Sequence, residues 1–362
     1  MEVITYKCPN CGGALKFNED AQKWKCEFCI SYFDENAVNS IENRMNTEND
    51  RHEKDSSKTE KEPEFYLHEY DEADNVRAYS CNSCGAEIVT DATTAATFCY
   101  YCHNPAIIPS QLSGNYRPSK IIPFKINRES ATKAFIKWCR KKPLVSRRFI
   151  TDSQLKLLSG VYIPFWLFDC EVSGSIYADA RNVRSWTSGN KRYTETKYYD
   201  VYRAGAASFR GIPADGSKKA EDCLMETLEP YDYGQLEDFS MSYLSGYMAE
   251  KYDVNQNEVY GRIRSRVHEY IEGLLRDTIN GYSTVTVKSA SIGVDSSKAS
   301  YALLPVWMFT YSFEGKIYIY AMNGQTGKIA GSLPISKSRA LAWFGGISAS
   351  VFAILTIGGL LL

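Results

Sequence analysis

The chain has 362 residues, 44% hydrophobic and 23% charged, with a formal net charge of −1. That length allows two or three domains, and the near-neutral balance excludes a global electrostatic pull toward nucleic acid. The 13% aromatic content, with 26 Tyr, favours a sheet-rich fold.

The first element is a cysteine ribbon over residues 1–33. It carries two CxxC pairs, Cys8/Cys11 and Cys26/Cys29, with fourteen residues between them. The opening "MEVITYKCPNC" has no basic segment leading into an apolar run, so the N-terminus is expected in a reducing cytoplasm. There CxxC pairs bind metal more often than they form disulfides. Four thiolates in two such turns suit tetrahedral Zn²⁺, and a full Cys₄ set leaves no open position for water. The expected site is therefore structural rather than catalytic. Iron in a rubredoxin-like site and a redox dithiol are the weaker alternatives.

Residues 34–77 read as a flexible charged linker. Thirteen of the 23 residues at 42–64 are charged, too few apolar groups to offset chain entropy. A D-E-A-D string at 71–74 falls in this stretch. In a helicase it binds Mg²⁺ beside a phosphate-cradling loop, but the chain has no G-x-x-x-x-G-K-[ST], so the string reads as chance. Such a linker would leave the first ribbon free to search around the second.

Residues 78–109 repeat the ribbon with Cys81, Cys84, Cys99 and Cys102, again with fourteen residues between the pairs. Gly12 and Gly85 follow the first pair in each copy. His103 is expected outside the ligand set, which already holds four thiolates. Two structural Zn²⁺ sites are thus expected, each adding about −2 in charge. Ribbon 2 has no Lys or Arg, and ribbon 1 balances four basic with four acidic residues. Phosphate contacts need clustered cations, so no nucleic-acid partner is expected. Both ribbons read as modules independent of the rest. Cys139, Cys170 and Cys223 stand alone and read as ordinary buried thiols.

The remainder contains an internal duplication. A helix over 129–142, stopped by Pro143, precedes "YIPFWLFDCEVSGSIYADA" from Tyr162. A second helix over 257–279, with Val259, Ile263, Val267, Ile271 and Leu274 as its apolar stripe, precedes "LLPVWMFTYSFEGKIYIYAMN" from Leu303. Aligning Pro164 with Pro305 also aligns Trp166 with Trp307, Phe168 with Phe309 and Gly174 with Gly315. Each copy predicts a helix, then strand, turn and returning strand, giving α+β units at 110–255 and 256–335. Trp166 and Trp307 read as core rather than as a ligand pocket. "NGQTGK" at 323–328 reads as a turn. The basic cluster at 139–148, with Arg140, Lys141, Lys142, Arg147 and Arg148, reads as a solvated helix end, with anionic lipid as the next choice. The chain has no H-E-x-x-H, no G-x-S-x-G and four scattered His, so no enzyme activity is expected.

Residues 341–362 carry no charge. As a helix they span about 33 Å, enough to cross a hydrocarbon core of roughly 30 Å. Lys337 and Arg339 precede them, so a single-pass cell-membrane protein with cytoplasmic N-terminal domains is expected.

The two ribbons, "YIPFWLFD", "EPYDYGQLEDFSMSYLSGYMAEKYDV" at 229–254, "LLPVWMF" and the terminal apolar run together resemble the YdjG-like, TFIIB-type zinc-ribbon membrane proteins of Gram-positive bacteria. Such sequences often carry a PriA-like helicase name. The likeness spans essentially the whole chain. It implies a membrane scaffold that recruits PspA-type and SPFH-type protein partners in envelope stress. It carries over no site residues beyond the eight ribbon cysteines. "NGQTGKIAG" is also similar, over few residues, to the end of PepSY-like domains. The expected fold is α+β: two N-terminal Cys₄ zinc ribbons, a duplicated helix-plus-antiparallel-sheet domain and a C-terminal transmembrane helix. The contrasting expectation is a nucleic-acid-binding, replication-linked zinc protein.

Overall fold

The computed structural model describes residues 3–41, 76–84, 86–99, 103–145, 158–313 and 316–360. Most of the expected linker, the D-E-A-D string, Cys102 and the Arg147–Arg148 end of the basic cluster lie outside the described residues. The fold is mixed α+β. It divides into two compact units, one of Met1–Pro164, Lys219–Lys251 and Leu303–Leu362, the other of Phe165–Lys218 and Tyr252–Ala302. These units cut across the consecutive division at 110–255 and 256–335.

In the first unit, ribbon 1 is a small antiparallel sheet of β1 (Leu15–Asn18), β2 (Lys23–Cys26) and β3 (Tyr32–Phe33). Residues 35–41, expected in the linker, are helical. Ribbon 2 opens with the β4 (Val76–Ser80) and β5 (Glu87–Asp91) pair and continues into β6 (Thr94–Phe98) and β7 (Pro105–Ile107). Neither ribbon is an independent module. β6 pairs with β12 (Met248–Glu250), which pairs in turn with β9 (Ser159–Ser188) at Val161 and Tyr162. Ribbon 1 is anchored by Trp24. Its indole N–H donates to the Ser242 carbonyl at 2.8 Å, and its ring packs against Phe17 and Tyr243 with centroids 5.1 and 5.0 Å away. The Phe17 N–H donates to the Ser245 carbonyl at 2.9 Å. The expectation of a freely searching ribbon 1 missed the docking of Trp24 and Phe17, both buried.

The first unit also holds β8 (Lys120–Ile121), β11 (Glu237–Asp238), the Leu303–Phe313 end of β13 (Thr284–Phe313), β14 (Lys316–Asn323) and β15 (Ile329–Gly331). β8 joins β11 to β13, β14 pairs with β13, and β15 pairs with β14. Helix α1 (Arg128–Arg140) buries Ala131, Phe135 and Cys139 at four-residue spacing. Phe135 meets Phe309 and Tyr320 at 5.3 and 5.2 Å between centroids. The short helix α2 (Asp222–Leu228) buries Leu224, Met225 and Leu228, which turns Cys223 outward. Cys223 is exposed, not buried as expected. Cys139 and Cys170 are buried, and burial pushes the Cys139 thiol up to about 12.

In the second unit β9 pairs antiparallel with β10 (Lys191–Asp215) and with the first part of β13, and helix α3 (Gln256–Asp277) lies against β10. The turn and returning strand expected within the segment from Tyr162 to Ala180 do not form there. β9 runs straight through it, Gly174 pairs with Gly205, and the chain reverses instead at Gly189, φ +61°. A Cβ on Gly174 would stand 2.8 Å from Ile292 Cγ1 and 3.3 Å from the Ser291 carbonyl, so the glycine serves close approach rather than reversal. The α3 stripe is Val259, Ile263, Val267, Ile271 and Leu275. Leu274, expected there, is half exposed.

The duplication is real in three dimensions, but its partners are exchanged. Trp307 of the second copy packs at the start of α1, the first copy's helix. Its indole N–H donates to the Ile126 carbonyl at 2.9 Å and its ring meets Phe124 at 5.1 Å. Trp166 of the first copy packs at the start of α3. Its indole N–H donates to the Val254 carbonyl at 2.9 Å and its ring meets Tyr252 at 4.9 Å. Asn127 and Asn255 follow as the respective N-caps. The carbonyl of Gly324 accepts from the N–H groups of Lys125 and Ile126, as that of Gly216 accepts from Asp253 and Val254. Both tryptophans are thus core residues bound to helix entries, and "NGQTGK" is the β14–β15 turn, with Asn323 Oδ1 accepting from the N–H groups of Gln325 and Thr326.

Candidate metal centre

Each CxxC turn is built to aim two sulfurs at one point. In ribbon 1 the Gly12 N–H donates to the Cys8 carbonyl at 2.8 Å, and Gly12 takes φ +73°, a conformation that favours glycine. The Ile30 N–H donates to the Cys26 carbonyl at 3.0 Å in the equivalent place of the second turn. Cys8, Cys11, Cys26 and Cys29 converge, with all four sulfurs within 4.8 Å of one another. Cys8 Sγ stands 3.5 Å from Cys29 Sγ, and Cys11 Sγ stands 3.5 Å from Cys26 Sγ. A disulfide would need about 2.05 Å. A tetrahedral metal with bonds of about 2.3 Å has sulfur–sulfur edges of about 3.8 Å. The spacing therefore fits a shared ion. Cys8 and Cys26 are buried while Cys11 and Cys29 are exposed, so the site lies at the surface. The Ser31 hydroxyl, 3.3 Å from Cys29 Sγ, together with the Ser31 backbone holds the Cys29 thiol down at about 6.

Ribbon 2 brings Cys81, Cys84 and Cys99 together within the same 4.8 Å limit, with Cys84 and Cys99 sulfurs 3.7 Å apart. Cys102 lies outside the described residues. His103 takes φ +57° and its N–H donates to the Cys99 carbonyl at 2.9 Å, the same turn geometry as Ile30 after Cys26. Its backbone closes the turn, and His103 does not belong to the group of converging sulfurs. The core beneath this centre contains Val3, Tyr79, Ile88, Ala106 and Ile108.

No local pattern announces the ion pair at the end of the β4–β5 hairpin opposite the cysteine turn, where Asp91 pairs with Val76. Asp91 Oδ1 accepts from the N–H and hydroxyl of both Thr93 and Thr94 at 2.8–3.0 Å, and Oδ2 pairs with Lys219 Nζ at 2.8 Å. Burial acts to raise the Asp91 carboxyl, but Lys219 and the two threonines hold it well below the ordinary carboxylate value. A cavity of about 500 Å³ lies between ribbon 1 and the sheet, with Lys16, Lys25, Arg128, Tyr247 and Trp307 in its walls. Opposing carboxylates from Glu19 and Glu27 share it, so its charge selects no ligand class.

Helix α4 (Lys337–Leu360) is the one helix among the described residues long and apolar enough to cross a membrane. Its span from Lys337 to Thr356 is not buried within the protein.

No family model matches the chain, and no solved structure matches it. It is 36% identical over 360 residues to the uncharacterized protein YdjG of Bacillus subtilis (strain 168), a match covering 99% of this chain and 98% of that protein. A likeness of that extent takes in both cysteine groups, both compact units and the apolar helix at once. The chain belongs to the YdjG family.

Proposed function

We propose that the chain is a membrane-anchored scaffold without enzymatic activity, carrying two structural zinc ribbons of the TFIIB type. In this reading α4 crosses the cell membrane once, the ribbons face the cytoplasm, and Zn²⁺ occupies Cys8/Cys11/Cys26/Cys29 and Cys81/Cys84/Cys99/Cys102. The observation that carries it is the convergence of four cysteine sulfurs at tetrahedral spacing in ribbon 1. A closed thiolate set holds and shapes a surface rather than activating water. The unburied apolar helix at the other end of the chain supports the anchor. The resemblance of the sequence supports PspA-type and SPFH-type proteins of the envelope-stress response as the recruited partners.

The test is affinity purification of the full chain from membranes, probing for PspA-type and SPFH-type proteins. Co-purification with the wild type, and its loss in a Cys8→Ser/Cys26→Ser variant that still sits in the membrane, is the expected result. Absence of both partners from the wild-type eluate under mild detergent overturns the recruitment reading.

A further inference from the structure

Helix α1 presents two opposite faces. One buries Ala131, Phe135 and Cys139. The other carries Lys133, Lys137, Arg140 and Lys141, all exposed, around the half-buried Ile136, and these five line a shallow depression of about 470 Å³. Positions 133, 137, 140 and 141 share one side of a helix. Lys142 extends the cluster beside Trp138, with its Nζ 5.8 Å from the ring centroid. Among the described residues, the acidic group paired with this face is Glu129, bound to Lys133 at 2.5 Å. A helix dipole accounts for cations in the last turn, but Lys133 lies in the middle of the helix, beyond its reach.

The second observation concerns what holds the end of this helix. Just past Lys142 the chain is tied to the root of α4. Val145 forms an isolated antiparallel bridge with Ile335. The Ser336 N–H donates to the Leu144 carbonyl at 2.9 Å, and the Arg339 guanidinium donates to the Val145 carbonyl. Lys337 is exposed in the first turn of α4. The basic end of α1 and the entry of the apolar helix therefore form one locally fixed structure. If α4 enters a bilayer, the cationic cluster is held beside the headgroups.

We infer that the Lys133/Lys137/Arg140/Lys141 face of α1, with Lys337 and Arg339 at the root of α4, is a binding surface for anionic phospholipid headgroups. This rests on the reading of α4 as a membrane span. Cations close to an anionic leaflet gain attraction that falls off within a Debye length, so the placement at the anchor root decides the partner.

The full chain in nanodiscs tests it, using the rate of lysine acylation by a neutral reagent, read residue by residue by mass spectrometry. In discs with about a third anionic phosphatidylglycerol, Lys133, Lys137 and Lys141 should react about threefold or more slowly than in pure phosphatidylcholine, and recover in high salt. Lys23 and Lys25 in ribbon 1 serve as the controls and should not change. Equal rates in the two discs, with the chain still resistant to alkaline extraction, overturn the lipid surface and leave the span intact. Extraction of the chain from neutral discs at alkaline pH overturns the span reading itself. Protection by a double-stranded oligonucleotide in neutral discs, without protection by anionic lipid, reassigns the face to nucleic acid and also overturns the proposal.

Discussion

The indole N–H of Trp307 reaches the carbonyl of Ile126, 181 residues earlier in the chain, at 2.9 Å. The same bond joins Trp166 to Val254 at 2.9 Å. Each hairpin tryptophan closes the entry of the other copy's helix. Replacing either indole by a benzyl ring removes the donor and leaves a partly buried carbonyl without it. Trp307→Phe and Trp166→Phe should each cost about 1–2 kcal/mol. Urea denaturation of the full chain in detergent measures both. Similar losses support the equivalence, and a negligible loss at either site breaks it.

Metal loading should be coupled to the sheet. β6 follows directly on the ribbon 2 hairpin and is also a strand of the sheet that pairs with β12. Cys81→Ser/Cys84→Ser should lower metal content from about two ions per chain to about one. It should also speed amide hydrogen exchange in β6 and β12. Unchanged exchange there would return ribbon 2 to the status of an independent module.

Trp24 is the expected anchor of ribbon 1. Trp24→Ala removes a large buried aromatic and a hydrogen bond to Ser242, a loss of about 3–5 kcal/mol in local packing. Proteolysis within residues 7–29 should accelerate while cleavage in α3 stays slow. The same digestion pattern in mutant and wild type would refute the docking.

The Asp91 anchor has a defined pH signature. Its carboxyl is held below the ordinary value of about 3.9 by Lys219, Thr93 and Thr94. A depressed folded value contributes stability that is complete above the unfolded value and is lost as pH falls through the folded one. Asp91→Asn should therefore lower the midpoint of urea unfolding at pH 7, and the gap to wild type should narrow steadily below about pH 4. A gap that stays constant down to pH 2 would rule this carboxylate out as the source.

Removal of residues 341–362 should release the chain from membranes after a high-salt wash. Sedimentation of the truncated protein checks it. Retention that survives the wash would require a second strong attachment.

The parts of the fold that were legible were those written in local spacing. The CxxC pairs fixed the converging sulfurs because each turn is closed by its own backbone. The i, i+4 stripe from Val259 to Ile271 gave α3, and the uncharged run gave α4. The segment from Tyr162 to Ala180 misled because glycine marks both a reversal and a close approach, and at Gly174 only the neighbouring Ile292 on another strand tells them apart. The exchange of tryptophans was invisible for a similar reason. Two copies with the same residues at the same places make the same contacts whichever copy supplies each partner, and only tertiary structure records the choice. The role of Asp91 depends on Lys219, 128 residues away, and no pattern in either segment announces it.

The exchanged pairing also bears on synthesis. Phe135 of α1 is buried against Phe309 and Tyr320, so α1 waits unmatched while some 170 further residues leave the ribosome. A chain halted anywhere in that interval displays the Ala131/Phe135/Cys139 face with nothing to cover it. The matching hairpin ends at Asn323, the neighbouring strand β15 ends at Gly331, and α4 begins at Lys337. If α4 is a membrane span, completion of the first unit's sheet and emergence of the apolar helix fall within one short stretch of translation, so that the helix is presented to a bilayer only when α1 can already be covered.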